Sequence, residues 1–216
     1  SNEDLLTVNG EHLPNIPVLH AIAFRNTNIY FNNISTIFYQ CSFNDTSMHF
    51  TSGKSRILVF FKSTWNGAQN SKIEIKNYRY IKFIQCRFKD ISNHRNVLFV
   101  IHKSKNVHIS YCLFSNIIGI MLNSWSVYNI YINHTAVKNV YLQYNSENKS
   151  PSVFQFHGTR TIFIQYSIYR HTYRGSVIKI NRMLSTKIST NNLIIIRAIF
   201  VNNTSGTAGG ALHVLN

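Results

Sequence analysis

Residues 37–43 read Ile-Phe-Tyr-Gln-Cys-Ser-Phe. This is a short strand followed by a polar residue, a small residue, one variable residue and an apolar residue, and the motif recurs along the chain. Its clear copies are Ile37 to Phe43, Phe83 to Phe88 and Ile109 to Phe114, and weaker copies are Ile132 to Val137, Phe163 to Ile168 and Ile195 to Phe200. A strand motif that returns with one residue type in each position indicates a structural unit stacked on itself. The sequence therefore predicts a repeat architecture.

Each copy must contain a corner. Phe38 and Phe43 are an odd number of positions apart, so a straight strand cannot keep both rings on one face. We expect the chain to turn near Gln40 and to bury both rings. The first inward column is then Phe38, Phe83, Ile109, Ile132, Phe163 and Ile195; the second is Phe43, Phe88, Phe114, Val137, Ile168 and Phe200; and the corners are Gln40, Gln85, Tyr111, His134, Gln165 and Arg197.

A second motif, a short strand with alternating apolar residues, lies between copies of the first. Its copies begin at Val18, Ile57, Val97, Ile120, Val153, Val177 and Ala211. Alternation with period two predicts strands rather than helices, and it places Gln155, Lys179 and His213 toward solvent. Together the motifs predict an all-β fold, a right-handed parallel β-helix (β-solenoid) of about six to seven coils, with like residues stacked ~4.8 Å apart.

The domain organisation follows from where the repeat is present. Residues 1–16 lack it and are expected to form an N-terminal cap or extension, and residues 17–216 form the β-helix domain. Gly209 to Asn216 begin a further coil, and an uncapped apolar coil end exposes unpaired ladder groups. We therefore expect the native protein to continue beyond residue 216, or to self-associate at its coil ends.

The charge of the chain indicates an anionic partner. Lys and Arg number 22 against 7 Asp and Glu, which gives a net charge of +15. Such an excess favours binding to a polyanionic glycan or a mineral surface. Nucleic acid is not expected, because no nucleic-acid-binding motif is present. No apolar stretch reaches the length of a membrane helix, so no membrane span is expected.

Asn-x-Ser/Thr sequons indicate a secreted or cell-surface glycoprotein. The candidate N-glycosylation positions are Asn33, Asn44, Asn133, Asn148, Asn202 and Asn203. The cysteines do not decide the compartment, because three is an odd count. Cys41, Cys86 and Cys112 share one motif position, which predicts either a column of buried thiols or one disulfide between neighbouring coils.

The Cys-x-Phe motif, Phe200-Val201-Asn202-Asn203 and Gly209-Gly210-Ala211-Leu212 together resemble the right-handed parallel β-helix of the pectate-lyase-like superfamily. Within it, the chain is most similar to the Phe-x-x-Asn and Gly-Gly-Ala repeats of polymorphic outer-membrane proteins and related extracellular β-helix proteins. The general pattern covers residues 17–216. The resemblance implies a surface-exposed or secreted solenoid that is adhesive or structural, and in some members carbohydrate-active.

Few side chains suit catalysis. Glycoside hydrolysis needs two carboxylates at a defined separation, and the acids after residue 16 are Asp45, Glu74, Asp90 and Glu147. Asp45 and Asp90 share a motif position, so one reading is a carboxylate pair stacked on adjacent coils. The other is a column of turn residues, since the same position holds Asn116, Asn139 and Asn202.

The remaining residue types favour binding over chemistry. The ten His show no spacing typical of zinc ligands, so we predict no catalytic residue, no metal site and no cofactor. Outward aromatic and basic side chains could instead form a glycan-binding strip, although aromatic residues are also ordinary strand formers. The candidate strip comprises Trp125, Tyr128, Tyr131, Tyr169, Arg170 and Arg174.

These observations favour a non-enzymatic extracellular β-solenoid with a structural, filament or matrix, or adhesive role. One alternative is a carbohydrate-active β-helix that cleaves acidic glycans, for which the basic charge is suitable but the scarcity of acids is not. Another is a module that binds polyanions such as sulfated glycans or a mineral.

Overall fold

The computed structural model describes residues 4–9, 16–53, 56–67, 71–143, 151–181, 192–205 and 210–215. The strands are β1 (Asp4–Asn9), β2 (Val18–His20), β3 (Ala23–Arg25), β4 (Thr27–Asn32), β5 (Thr36–Tyr39), β6 (Ser42–Asn44), β7 (Ser47–Thr51), β8 (Ile57–Phe61), β9 (Thr64–Asn66), β10 (Ile73–Lys76), β11 (Tyr80–Ile84), β12 (Arg87–His102), β13 (Asn106–Ser110), β14 (Leu113–Trp125), β15 (Asn129–Asn133), β16 (Ala136–Tyr141), β17 (Ser152–His157), β18 (Thr161–Gln165), β19 (Ile168–Tyr173), β20 (Ser176–Asn181), β21 (Asn192–Ile196), β22 (Ile199–Val201) and β23 (Leu212–Leu215). None of the described residues forms a helix long and apolar enough to cross a membrane.

The strands form two parallel sheets that share one core. The first sheet stacks eight strands in the order β2-β5-β8-β11-β13-β15-β18-β21, and the second stacks fifteen strands in two arms. The fold is an all-β parallel solenoid, and within the described residues each strand of the first sheet marks one coil, which gives eight such coils. The motif count predicted about six to seven, because two coils, those of β2 and β8, carry less regular copies. Within residues 1–16, β1 pairs in parallel with β4.

Two short strands belong to a different sheet from the one expected. Val18 and Ile57 open copies of the second motif, yet β2 and β8 pair with β5 in the eight-stranded sheet. Alternation alone says that a strand has one inward face, but it does not say which sheet the strand joins. In these two coils, β4 and β10 take the corresponding places in the fifteen-stranded sheet.

The fifth copy of the first motif is shifted by one residue. Ile132 pairs with Ile164 rather than with Phe163, and Val137 pairs with Tyr169 rather than with Ile168. The inward residues in this coil are therefore Ile164 and Tyr169, both fully buried. The segment around Phe163 is apolar on both faces, so its register is fixed by the neighbouring coil and not by its own pattern.

Stacked rings fill the core beside the corner. Their centroid separations are 5.2, 4.6, 4.5 and 4.5 Å along the column of Phe24, Phe43, Trp65, Phe88 and Phe114. Phe38, Phe60 and Phe83 form a second stack at 4.8 and 5.0 Å, roughly edge-on to the first. Offset-stacked and edge-to-face pairs are the favoured aromatic geometries, so these columns hold the coils in register.

Left-handed backbone conformations make the corners. One corner column has φ between 46 and 55° at Ala21, Gln40, Lys62, Gln85, Tyr111, His134, Tyr166 and Arg197. Each of the first seven donates its N–H to a carbonyl of the next coil, as Gln85 does to Ser110 at 2.9 Å. The ladder therefore continues through the bend. The predicted corner at Gln165 lies at Tyr166, in agreement with the one-residue shift.

The three cysteines are free and buried. The thiols of Cys86 and Cys112 donate to backbone carbonyls, Cys86 to Phe60 at 3.3 Å and Cys112 to Phe83 at 3.4 Å. Burial raises the pKa of the Cys86 thiol. Ser63 occupies the same position in the coil between Cys41 and Cys86, and small hydrogen-bonding groups therefore share this column.

Candidate binding surface

Five cationic side chains lie on one outer face of the solenoid. They lie on β3, β12, β16 and β19, within a few residues after the left-handed corner column, and each is exposed. We call this set the basic band: Arg25, Arg87, Lys89, Lys138 and Arg170. Four of the five directly follow a buried or half-buried inward residue, as Lys89 follows Phe88 and Lys138 follows Val137, so strand alternation turns their side chains outward.

The register places like charges next to each other within the band. Lys138 pairs directly with Arg170 in the parallel ladder, and Ser115 separates Lys138 from Lys89. Like charges opposite each other in a sheet are destabilising. Lys89 is also 3.3 Å from the carboxylate of Asp90 at the neighbouring corner. A bound anion would offset the repulsion that Lys138 and Arg170 carry.

An open groove of about 600 Å³ adjoins the band at the corner. Lys62 and Arg87 contribute its two cations, and Tyr111 contributes an exposed ring. Above the groove, the rings of Tyr111, His134 and Tyr166 stack at centroid separations of 4.7 and 4.8 Å, and the guanidinium of Arg197 lies 5.6 Å from the Tyr166 ring. The groove and these rings extend the basic band around the corner.

The residues of the predicted glycan-binding strip do not form one surface. Tyr169 is fully buried, because it occupies the inward ring column where it stacks on Phe200. Arg170 belongs to the basic band, whereas Arg174 covers the ring of Tyr141 at 5.2 Å. The other three members make separate contacts: Trp125 stacks on His157 at 3.9 Å, Tyr131 stacks on His108 at 4.6 Å, and Tyr128 lies under the guanidinium of Arg160 at 4.9 Å.

Asp45 and Asp90 lie on the same corner column but not on adjacent coils. Gly67 occupies the coil between them, and all three have φ between 45 and 67°. Asn116 donates to Asp90 Oδ1 at 2.8 Å, and Asn139 donates to Asn116 Oδ1 at 3.0 Å. The hydrogen bond from Asn116 lowers the pKa of Asp90. These contacts are those of an Asx column that shapes a turn.

Glu74 lies among two lysines and a histidine. Lys76 Nζ lies 2.8 Å from its carboxylate, and Lys72 Nζ and His49 Nδ1 each lie 3.4 Å away. Partial burial opposes ionisation of Glu74, but the hydrogen bonds and charges of Lys76 and Lys72 outweigh it and lower its pKa to about 2. Glu147 lies outside the described residues. In the part of the chain that the structure describes, no three His, Cys, Asp or Glu side chains are arranged to hold a metal ion.

The sequons occupy several environments. Asn44 and Asn202 are exposed, Asn133 is half-buried at the end of β15, and Asn148 lies outside the described residues. Asn33 Oδ1 accepts from the Gly53 N–H at 3.3 Å. The side-chain amide of Asn203 bridges two coils.

The Phe-x-x-Asn and Gly-Gly-Ala segments contact each other. Asn203 Oδ1 accepts from the Thr172 N–H, and its Nδ2 donates to the Tyr169 carbonyl, both at 3.1 Å. Gly210 packs against the backbone of the same residue, and a Cβ at Gly210 would collide with the Asn203 carbonyl oxygen. Asparagine and glycine at these two positions are therefore required by one junction between coils.

Neither a scan against protein-family models nor a search of curated proteins finds a match to this chain. The basic band is the surface that sequence reasoning missed, because its members are far apart in the chain. Its signal is the position directly after the inward residue of these strands, which is basic at Arg25, Lys89, Lys138 and Arg170 and is Asn44, Asn66, Ser115 and Val201 in the other coils.

Proposed function

We propose that this chain is a non-enzymatic β-solenoid scaffold of a secreted or cell-surface protein, with an adhesive role exerted through the basic band. The observation that carries the proposal is the direct pairing of Lys138 with Arg170, with Lys89 two coils from Lys138 on the same face of the stacked coils. Cations fixed at strand spacing, ~4.8 Å from coil to coil, match a polymer with repeated anionic groups. A sulfated or uronic glycan is such a polymer.

The same proposal includes the right-handed winding and the kinship with polymorphic outer-membrane-type β-helix proteins that the sequence resembles. Support comes from the contact of Asn203 with Gly210. Through it, the Asn of Phe-x-x-Asn and a Gly of Gly-Gly-Ala pack together at one junction between coils. Support for a non-enzymatic role comes from the acids. Asp90 is held by Asn116 and Lys89, and Glu74 by Lys76, Lys72 and His49, so these carboxylates have structural partners.

The test compares two triple variants of equal net charge. Lys89→Gln, Lys138→Gln and Arg170→Gln neutralise the band, whereas Lys82→Gln, Lys103→Gln and Lys105→Gln remove three charges elsewhere. Heparin affinity is measured by calorimetry across a series of NaCl concentrations. We expect the band variant to lose about tenfold or more in affinity and to show a shallower salt dependence, and the control variant to change by about twofold or less.

Two results would overturn the proposal. If the wild type does not bind heparin or polyuronate at low salt, the adhesive role through this face fails. If both triple variants lose affinity equally, the attraction comes from net charge alone, and the band has no special part in it.

A further inference from the structure

The open groove at the corner of the solenoid lies between two columns of outward side chains. One wall consists of Lys62, Gln85 and Tyr111 on successive coils, and the other consists of Thr64, Arg87 and Leu113 on the same coils. We call this space the corner groove. Arg87 pairs with both Thr64 and Leu113 in the parallel ladder, so the second wall is continuous. The volume of about 600 Å³ is within the range of sites that hold small ligands.

The floor of the corner groove is backbone held in the ladder. Cys86 lies between Gln85 and Arg87 and is fully buried, so the chain points inward at this position while its two neighbours point outward. The Cys86 carbonyl accepts from the Leu113 N–H at 3.0 Å, and the Arg87 N–H donates to the Ser63 carbonyl at 3.0 Å. A floor fixed by hydrogen bonds on both sides keeps the walls in place, which lowers the ordering cost of binding a ligand.

Each wall contributes one cation. Lys62 and Arg87 are exposed and lie on adjacent coils, on opposite sides of the groove. The ion pairs found among the described residues are made by Glu74 and Asp90, and none of them includes Lys62 or Arg87. Lys62 Nζ lies 5.3 Å from the centre of the Phe61 ring, a contact that leaves its charge uncompensated. Two such cations facing one space attract an anion.

The ring of Tyr111 lies beside these cations and is 56% exposed. His134 stacks on one face of the ring at 4.7 Å, and Tyr166 continues the stack at 4.8 Å. The corner position of the preceding coil is Gln85, so among the described residues no second ring stacks on Tyr111. An aromatic ring that is held on one side and lines the groove with the rest of its surface offers a platform for the apolar face of a sugar.

We propose that the corner groove binds one sulfated sugar unit, with the sulfate between Lys62 and Arg87 and the sugar ring on Tyr111. Because Arg87 also belongs to the basic band, this assignment rests on the proposed adhesion to acidic glycans and specifies the sulfated kind. A sulfate presents oxygens in several directions, so a cation from each wall contacts it, whereas a planar carboxylate is satisfied by one guanidinium fork. Thr64 and Gln85 supply polar groups for the sugar hydroxyls.

The experiment compares three tetrasaccharides with one sugar backbone: chondroitin 4-sulfate, chondroitin 6-sulfate and unsulfated chondroitin. All three carry uronate carboxylates, and only the first two carry sulfates. Affinities are measured by calorimetry at low salt, with inorganic sulfate as a fourth probe. We expect one of the sulfated tetrasaccharides to bind at least about tenfold more tightly than the unsulfated one and than inorganic sulfate, since the site uses both the anion and the ring.

A pair of tyrosine variants tests the platform. Tyr111→Ala removes the ring at a corner position where Ala21 already has the same left-handed backbone. Tyr30→Ala is the matched control, because Tyr30 is also exposed and stacks on His49 at 4.6 Å. We expect Tyr111→Ala to weaken binding of the sulfated tetrasaccharide by about fivefold or more, and Tyr30→Ala to change it by about twofold or less.

A pair of lysine variants tests the anion contact. Lys62→Gln removes a cation of the groove, and Lys103→Gln removes an exposed lysine at another left-handed corner, with φ of 50° against 51° at Lys62. Lys62→Gln should weaken binding of the sulfated tetrasaccharide by about fivefold or more and should reduce its preference over the unsulfated one. Lys103→Gln should change neither quantity by more than about twofold. Circular dichroism and the thermal midpoint check that each variant folds.

Three results would overturn the proposal: no binding of either sulfated tetrasaccharide at millimolar concentration, equal affinity for all three tetrasaccharides, or unchanged binding in both Tyr111→Ala and Lys62→Gln. Inorganic sulfate bound as tightly as the tetrasaccharides would also overturn it, because the sugar ring would then have no part in recognition. The adhesive role is tested separately, by the heparin affinity of the band variant, in which the corner groove is intact. Loss of heparin binding in that variant, with tetrasaccharide binding retained, would support both sites.

Discussion

The ring of Phe88 stacks on the ring of Phe114 in the next coil, with centroids 4.5 Å apart and planes inclined by 7°. Phe99 contacts the ring of Phe88 edge-on, with a centroid separation of 5.2 Å and an interplanar angle of 88°. Phe88 is thus held between the stacked rings of Phe114 and Trp65 and by an edge contact with Phe99, on β12 where it pairs with β9 and β14. Its packing links the two arms of the larger sheet to the corner.

Phe88→Ala should lower the free energy of unfolding by about 4 kcal/mol, because it opens a cavity in a continuous aromatic column. Phe163→Ala is the matched control, since Phe163 is half-buried on the outer face, and its cost should be about 1 kcal/mol or less. Urea unfolding followed by circular dichroism measures both. Equal losses would mean that the inward column runs through Phe163 and not through Ile164, the residue that pairs with Ile132.

The sequence predicted the solenoid because its inward positions repeat, but it could not set every register. Phe38, Phe83 and Ile109 were assigned correctly, since each is followed by an unambiguous polar corner. Phe163 was not, because Ile164 beside it is equally apolar and only pairing with Ile132 decides between them. The coil at Phe60 was missed because Lys62 and Ser63 replace the usual Gln and Cys of the motif.

The candidate surfaces were harder to predict than the fold. Lys138 and Arg170 are direct partners on adjacent coils but lie far apart in the sequence, so their proximity cannot be seen without the pairing of β16 with β19. The burial of Gln155 on its outward side was likewise not predicted. Alternation predicted that side correctly but carried no information about what shields it.

The corner at Gln85 offers a test of backbone strain. Gln85 is exposed with φ of 55°, a left-handed conformation that Asn tolerates and β-branched residues do not. Gln85→Val should cost about 1–2 kcal/mol of stability, whereas Gln85→Asn should be neutral or slightly stabilising. Chemical unfolding of the two variants provides the comparison. A Val variant as stable as wild type would show that the corner is not left-handed.

The Asx column makes a prediction about Asp45 and Asp90. The double change Asp45→Asn and Asp90→Asn should leave the urea midpoint and heparin affinity close to wild type, because Asn already occupies this corner at Asn116 and Asn139. An Asn at position 90 retains an oxygen that can accept from Asn116 Nδ2. If the wild type instead cleaves an acidic polysaccharide and the double variant does not, the column contains a catalytic pair and the structural assignment is wrong.

Glu74 should make the stability of the solenoid depend on pH in acid. Its pKa is about 2 in the folded protein against 4.5 for an unperturbed Glu, so its ionised form is favoured by folding. The unfolded chain therefore binds more protons between pH 4.5 and 2. The contribution of Glu74 is fully present above pH 4.5 and is lost as the pH falls toward 2. Solvent screening at this half-buried position limits the contribution to about 1 kcal/mol.

The variant Glu74→Gln removes the charge and keeps the shape beside Lys72, Lys76 and His49. At neutral pH it should unfold at a lower urea concentration than wild type, and the difference should shrink as the pH is lowered from 4.5 to 2. About 1 M NaCl should also reduce the difference at neutral pH, since salt weakens partly exposed ion pairs. A difference that stays constant from neutral pH to pH 2 would show that Glu74 stabilises the coil by packing and not by its charge.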